Sequence, residues 1–179
     1  RYGVMLREDG IVMDDGTTTR ISENHYHMTT TTAQAANVLS HLEYYLQLVW
    51  QDLNVNVVST TEQWAGAAIA GPNSRALLMK LFPNTDVSNE GLPFMGYKEA
   101  DLFGIPAKIY RISFSGELAY EVNVESDFGN FMWEKIIEVG KEFQLQPYGT
   151  EALSTLRIEM GHVAGSELDG RTIPHDASL

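Results

Sequence analysis

Cysteine is absent. That excludes disulfides, thiolate metal sites and a cysteine nucleophile, and it fits a reducing compartment. No apolar run approaches the roughly 20 residues that a membrane span needs. No signal-peptide pattern opens the chain. These absences lead to the expectation of a cytoplasmic protein with no membrane partner. Basic residues are scarce: 12 Lys and Arg stand against 24 Asp and Glu, a net charge of −12. A nucleic-acid binder needs the opposite balance to neutralise phosphates, so no nucleic-acid partner is expected. Also missing are GxGxxG, HExxH and GxSxG, and Gly71-Pro72-Asn73-Ser74 lacks the glycine–lysine ending of a Walker loop. Local support for hydride transfer, zinc proteolysis, serine hydrolysis or nucleotide triphosphate binding is therefore lacking.

What is present is the composition of a packed globular protein, with 44% hydrophobic residues among 179. Residues 4–6 and 11–13 are apolar and flank Arg7-Glu8-Asp9-Gly10, an Asp-Gly hairpin signal. Residues 17–21 and 25–30 read as two further strands joined by the polar Ser22-Glu23-Asn24. Over residues 32–50, Ala35, Val38, Leu39, Leu42, Leu46 and Val49 recur at helical spacing, with Thr31 or Thr32 as the cap. Residues 54–59 and 64–70 read as strands. Gly71-Pro72 ends the second, and Pro72 suits the first position of a short helix carrying Leu77, Leu78 and Leu81. Residues 97–103 and 105–114 pair around Gly104, and 119–124 is a strand. Ser126 or Asp127 caps a helix burying Phe128, Phe131, Met132, Ile136 and Val139, and residues 150–160 form a helix stopped by Gly161. Interleaved helices and neighbouring antiparallel strands give an α+β class with antiparallel or mixed sheets and packed helices. The whole of 1–179 is expected to form one incomplete domain, with lobes at 1–60 and 61–179.

A few side chains could carry chemistry. Asp14-Asp15 lies between strand-like runs, where a solvated turn is the ordinary setting. Paired carboxylates can also raise one pKa or hold a cationic nitrogen. Glu121 shares a strand face with Ala119 and Asn123. An exposed face is the ordinary fate of such a residue, whereas a carboxylate there can also accept two parallel N–H bonds from a guanidine-like edge. His25 and His27 share a face, but further metal ligands are not evident. The Thr29-Thr30-Thr31-Thr32 run can cap a helix or present hydroxyls and amides to a polar ring or anion.

Several segments resemble one folate-binding family, which contains the glycine-cleavage aminomethyltransferase and the sarcosine- and dimethylglycine-oxidising enzymes. Glu8-Asp9-Gly10-Ile11-Val12-Met13-Asp14-Asp15 is similar to its acidic hairpin. Ala70-Gly71-Pro72-Asn73-Ser74 resembles its glycine–proline helix start. Ser115-Gly116-Glu117-Leu118-Ala119-Tyr120-Glu121 resembles its Thr-Gly-Glu…Phe-Glu segment, and Leu156-Arg157-Ile158-Glu159 its Leu-Arg-x-Glu helix. The likeness is strongest to the alpha subunits of the heterotetrameric sarcosine oxidases. It runs through Asp14-Asp15-Gly16, His27-Met28-Thr29-Thr30-Thr31-Thr32, Thr61-Glu62-Gln63-Trp64, Arg111-Ile112-Ser113-Phe114-Ser115-Gly116-Glu117-Leu118-Ala119, Pro147-Tyr148-Gly149-Thr150-Glu151-Ala152-Leu153 and Asp169-Gly170-Arg171-Thr172-Ile173-Pro174-His175-Asp176.

The resemblance implies an aminomethyltransferase-like folate-binding fold and tetrahydrofolate as cofactor. It implies that Asp15 is the catalytic carboxylate beside the folate nitrogens, that Glu121 binds the pterin, and that Phe114 lies beside it where the aminomethyltransferase has tyrosine. Thr31 and Tyr148 join the expected cofactor-binding set. Thr31 replaces an asparagine, and Leu153 an arginine, of the glycine-cleavage branch; both changes fit the oxidase branch better. The implied role is capture of the one-carbon unit of oxidised sarcosine as 5,10-methylenetetrahydrofolate. The flavin (FAD or FMN) belongs only to the complete oxidase, whose other subunits are the implied partners. The alternatives are a non-catalytic folate-binding or subunit-assembly module and a glycine-cleavage aminomethyltransferase.

Overall fold

A computed structural model describes residues 1–165 and 167–177. They form two compact units: Arg1–Thr61 with the described tail from Val163 onward, and Glu62–His162.

In the first unit, β1 (Tyr2–Leu6), β2 (Val12–Ser22) and β3 (His25–Met28) make an antiparallel sheet in that order. The Asp-Gly turn forms as its chemistry requires. Gly10 takes φ 81°, its amide donates to the Arg7 carbonyl (3.0 Å), and Asp9 accepts the Ile11 amide (3.2 Å). The separate strands read at 11–13 and 17–21 are one continuous strand. Asp14, Asp15 and Gly16 stay extended because Met5, Val4 and Gly3 pair with them in turn. The tail adds a bond to the start of β2, from the Val12 amide to the Thr172 carbonyl (2.9 Å).

The helix read at 32–50 changes geometry twice. A 3₁₀ turn (Thr32–Gln34) leads into α1 (Ala35–Tyr44), and a π turn follows (Tyr45–Val49). The wider π turn breaks the register of the apolar stripe. Val38 is buried, while Val49 is 49% exposed. Thr31 occupies the N-cap position of the 3₁₀ turn without a capping side-chain bond, because its hydroxyl is engaged elsewhere. Residues 54–59, read as a strand, form none. They have no partner strand among the described residues and are solvent-exposed, with Val58 77% accessible.

The second unit is a four-stranded antiparallel sheet in the order β4 (Trp64–Ala70), β7 (Ala119–Glu125), β6 (Ile105–Tyr110), β5 (Tyr97–Leu102). Helices α2 (Ser74–Leu81) and α3 (Gly129–Gly140) pack on one face of it. Strand alternation divides the residues. Tyr120, Val122 and Val124 enter a core with Ile109, Ile69, Leu77, Leu78, Leu81, Phe82, Met132 and Ile136. Burial of such side chains stabilises the unit by roughly 1.5–3 kcal/mol each. Residues 119, 121 and 123 take the opposite side.

Phe103 and Gly104 both have positive φ (53° and 92°) and close the β5–β6 hairpin as a two-residue turn. Three sequence expectations shift here. β6 ends at Tyr110 rather than 114. α2 starts at Ser74, with Pro72 in the preceding turn and the Ser74 hydroxyl donating to the Leu118 carbonyl (2.8 Å). Neither Ser126 nor Asp127 caps α3, because a 3₁₀ turn (Ser126–Phe128) occupies that stretch. Helix α4 (Thr150–Met160) ends at Gly161 in the left-handed region, φ 81°, as read. The class is α+β, and both sheets are antiparallel throughout. Among the described residues, no helix is long and apolar enough to cross a membrane.

Candidate functional site

Two carboxylates sit inside the first unit's sheet. Asp14 and Asp15 are 2% and 8% exposed, so the solvated turn is replaced by a buried strand position. As strand neighbours they point to opposite faces and need different partners. Asp14 accepts the Thr31 amide (3.0 Å) and the Thr31 hydroxyl (2.9 Å). Asp15 accepts the phenol of Tyr2 (2.9 Å), which lies diagonally across on β1. Burial, then Asp15 and Asp14, push the Tyr2 phenol above its ordinary range, so it remains a proton donor. Tyr2 carries no sequence motif; only strand register brings it to Asp15.

Thr31 thus spends both its donors on Asp14, and the helix start it opens is clamped to the middle of β2. Thr31→Val keeps the shape and the amide bond but removes the hydroxyl donor to a buried carboxylate. The expected loss of stability is about 1.5–3 kcal/mol, read as a lower urea midpoint with unchanged slope. Thr29 ties the same region together: its hydroxyl accepts the Thr17 amide (3.1 Å) and lies 2.8 Å from the Thr17 hydroxyl. His25 and His27 stay on β3, and the described residues contain no group of three or more His, Cys, Asp or Glu that could hold a metal ion.

In the second unit, Glu121 projects from β7 on the side away from the helices. Its cross-strand neighbours are Ala68 on β4 and Tyr110 on β6. The carboxylate is partly buried, makes no hydrogen bond or ion pair among the described residues, and is pushed up by burial alone. Tyr110 is 4% exposed, and its phenol is pushed up to about 12 by burial and by the charges of Glu121 and Glu99. On the same face the Lys108 ammonium lies 3.7 Å from the centre of the Trp64 ring. Burial lowers this lysine. Cross-strand register sets Tyr110 opposite Glu121, Lys108 opposite Asn123 and Trp64 opposite Glu125. The sequence offers no local sign of them.

Phe114 is 38% exposed and meets His162 edge-on, with centroids 4.8 Å apart. The hydroxyls of Ser113 and Ser115 on either side of it are buried and have no hydrogen-bond partner among the described residues. Tyr148 lines a different hollow, a cleft of about 590 Å³ along β4 that also includes Trp133, Leu145 and Ala68, but neither Glu121 nor Phe114. By residue, Asp15 and Thr31 belong to the first unit, and Glu121, Phe114 and Tyr148 to the second.

Comparison with known proteins adds a match of residues 1–179 to the family profile described as the GCVT N-terminal domain. The chain belongs to this family. Among GCVT-domain relatives, it is 49% identical to sarcosine oxidase subunit alpha of Rhizobium meliloti over 98% of this chain and 18% of that one. It is 47% identical to the corresponding subunit of a Corynebacterium species over 100% of this chain and 19% of that one. Identity to the aminomethyltransferase of Chloroherpeton thalassium is 31%, covering 100% of this chain and 48% of the relative. The chain therefore spans less than a fifth of the length of the two oxidase subunits. The crystal structure of aminomethyltransferase T of the glycine cleavage system from Bartonella henselae superposes with a TM-score of 0.80 at 23% identity, over 97% of this chain and 44% of that one. The GCVT fold read from the sequence is thereby established, as part of a larger architecture in those relatives.

Proposed function

We propose that this GCVT domain binds tetrahydrofolate and serves a sarcosine oxidase alpha subunit by receiving the one-carbon unit released when the amine is oxidised. Tetrahydrofolate supplies two nucleophilic nitrogens that take up the carbon as 5,10-methylenetetrahydrofolate, so the protein need not provide a nucleophile. Flavin chemistry is assigned to other parts of the complete oxidase, and its other subunits are the proposed partners.

One observation carries the reading: Glu121 is a desolvated carboxylate with no donor among the described residues, on a sheet face flanked by small Ala68 and aromatic Tyr110. A buried charge left unpaired is unfavourable unless something completes it. The N3–H and 2-amino group of a pterin form a planar donor pair that a carboxylate accepts in bidentate fashion. The site fits that group, because no donor among the described residues competes for the Glu121 oxygens. Asp15 would hold positive charge as the carbon is transferred or accept a proton there, with its orientation set by Tyr2. Phe114 would offer a ring face, a role that survives the loss of tyrosine's hydroxyl. Tyr148 is proposed as a further contact, and Thr31 as a positioning residue acting through Asp14.

Glu121→Gln tests this with opposite effects on binding and stability. Losing a charge-assisted pair of about 1.5–3 kcal/mol is expected to weaken tetrahydrofolate roughly 10- to 100-fold by calorimetric titration. Stability should move the other way. Burial raises the glutamate's pKa in the folded state, so the folded protein carries a penalty whenever Glu121 is ionised. The glutamine variant is therefore expected to melt higher than wild type at neutral pH. That advantage fades as pH falls through the folded pKa toward the ordinary glutamate value of about 4.3. Unchanged folate affinity in Glu121→Gln would falsify the assignment.

A second reading, a non-catalytic assembly module, draws support from the exposed Leu53, Val55 and Val58. It requires partner capture without any folate binding, which the same titration decides.

A further inference from the structure

Beside the turn between β1 and β2 and the end of α1 lies a shallow, open hollow that the folate reading does not use. It is about 470 Å³ and is lined by Arg7, Glu8, Asp9, His41, Tyr44 and Tyr45. The π turn shapes it. The Trp50 amide reaches back to the Tyr45 carbonyl (2.6 Å), and the Trp50 ring packs on the Tyr45 ring with centroids 4.6 Å apart. Tyr44 stands at 88° to Tyr45 with centroids 5.4 Å apart, and His41 stands at 63° to it at 4.9 Å. Tyr44 and His41 therefore both stand steeply to the Tyr45 ring, and Trp50 packs against that same ring. π turns recur where a helix is locally widened for function.

The charges around these rings are unequal. The Arg7 guanidinium is bound by Asp9 through two contacts, which leaves that pair neutral and the arginine occupied. Glu8 accepts the Tyr45 hydroxyl (2.7 Å) through one oxygen, and its second oxygen has no partner among the described residues. The hollow thus carries one uncompensated negative charge beside ring faces whose quadrupoles are negative. An anion is repelled by this arrangement, and no group of three metal-ligating side chains is present among the described residues. A hydrated ammonium gains little from ring faces, whereas a methylated one sheds water readily and gains both cation–π attraction and apolar contact.

We propose that this hollow is a binding site for a methylated organic ammonium, held against the half-exposed Tyr44 ring beside Tyr45, with Glu8 as counter-ion. The site is independent of the folate reading and stands or falls without it.

Choline is the probe, and 3,3-dimethylbutan-1-ol is its uncharged isostere of the same shape. Both are titrated into the protein by chemical-shift perturbation of the aromatic resonances. Choline is expected to saturate with a dissociation constant in the millimolar range, and the isostere to bind at least about tenfold more weakly. Glu8→Gln and Tyr44→Ala are each expected to weaken choline roughly 3- to 30-fold, while Tyr44→Phe, which keeps the ring face, retains it. Tyr44 is 51% exposed, so its replacement leaves the fold intact, which the unaltered core resonances check. Equal binding of choline and the isostere overturns the proposal, as does absence of saturation by choline or indifference to both Glu8→Gln and Tyr44→Ala.

Discussion

Exchange of Asp15 for asparagine is expected to slow capture of a one-carbon unit on tetrahydrofolate by roughly 10²- to 10⁴-fold while leaving the sheet folded. Asparagine is nearly isosteric, and its carbonyl oxygen can still accept the Tyr2 phenol, so the cross-strand bond survives. What disappears is the charge. At 8% exposure, water screens that charge little, and a preorganised carboxylate in such a setting stabilises a developing cation far more than it would in solvent. Tetrahydrofolate affinity should change much less than the rate, because recognition of the ring is assigned to Glu121. Tyr2→Phe separates position from charge: it removes the hydroxyl that orients Asp15, and its expected effect is about tenfold. The measurement is stopped-flow capture of formaldehyde on tetrahydrofolate by the purified protein, with calorimetric affinity for each variant alongside. An Asp15→Asn protein that binds folate normally and turns over at the wild-type rate removes Asp15 from the chemistry.

The contrast between Asp15 and Glu121 marks how far residue order alone can lead. Both were legible as candidate carboxylates, one from the acidic pair and one from the strand alternation over residues 119–124. Their surroundings were not legible, because these are made by residues distant in sequence. Asp15 depends on Tyr2, 13 positions away, and Asp14 on Thr31, 17 positions away. Composition alone favours a solvated turn for Asp-Asp, and strand pairing overrides it. Glu121 lies between Ala68 and Tyr110 only because β7 is inserted between β4 and β6, an order that the chain does not announce. Local signals did better where the physics is local. Gly161 at positive φ ended its helix, and Gly10 and Gly104 closed their hairpins. The π turn at Tyr45–Val49 escaped detection because apolar spacing there is compatible with an ordinary helix. Residues 54–59 have strand composition, yet β propensity is realised only against a neighbouring strand.

Gly16→Ala is expected to cost at least about 3–4 kcal/mol, a large share of the roughly 5–15 kcal/mol by which a domain is stable. The reason is not a left-handed backbone, since Gly16 is an extended residue paired with Gly3 on β1. It is close approach. A Cβ at Gly16 would lie 1.9 Å from the Thr29 carbonyl oxygen and 2.9 Å from its carbon, both backbone atoms that cannot rotate away. Nor can Thr29 retreat cheaply. Its amide donates to the Thr17 carbonyl (2.8 Å), and its hydroxyl accepts the Thr17 amide (3.1 Å). Relief requires opening those bonds, which also withdraws Thr31 from Asp14 and leaves that carboxylate buried without its donors. Gly3→Ala is the matched control on the neighbouring strand, because its added methyl meets nothing within 4 Å. Urea denaturation should place Gly3→Ala close to wild type and Gly16→Ala far below it. A small, equal change in both would mean that Thr29 does not cross β2 this closely, and the clamp that holds Asp14 and Asp15 in the sheet would lose its physical basis.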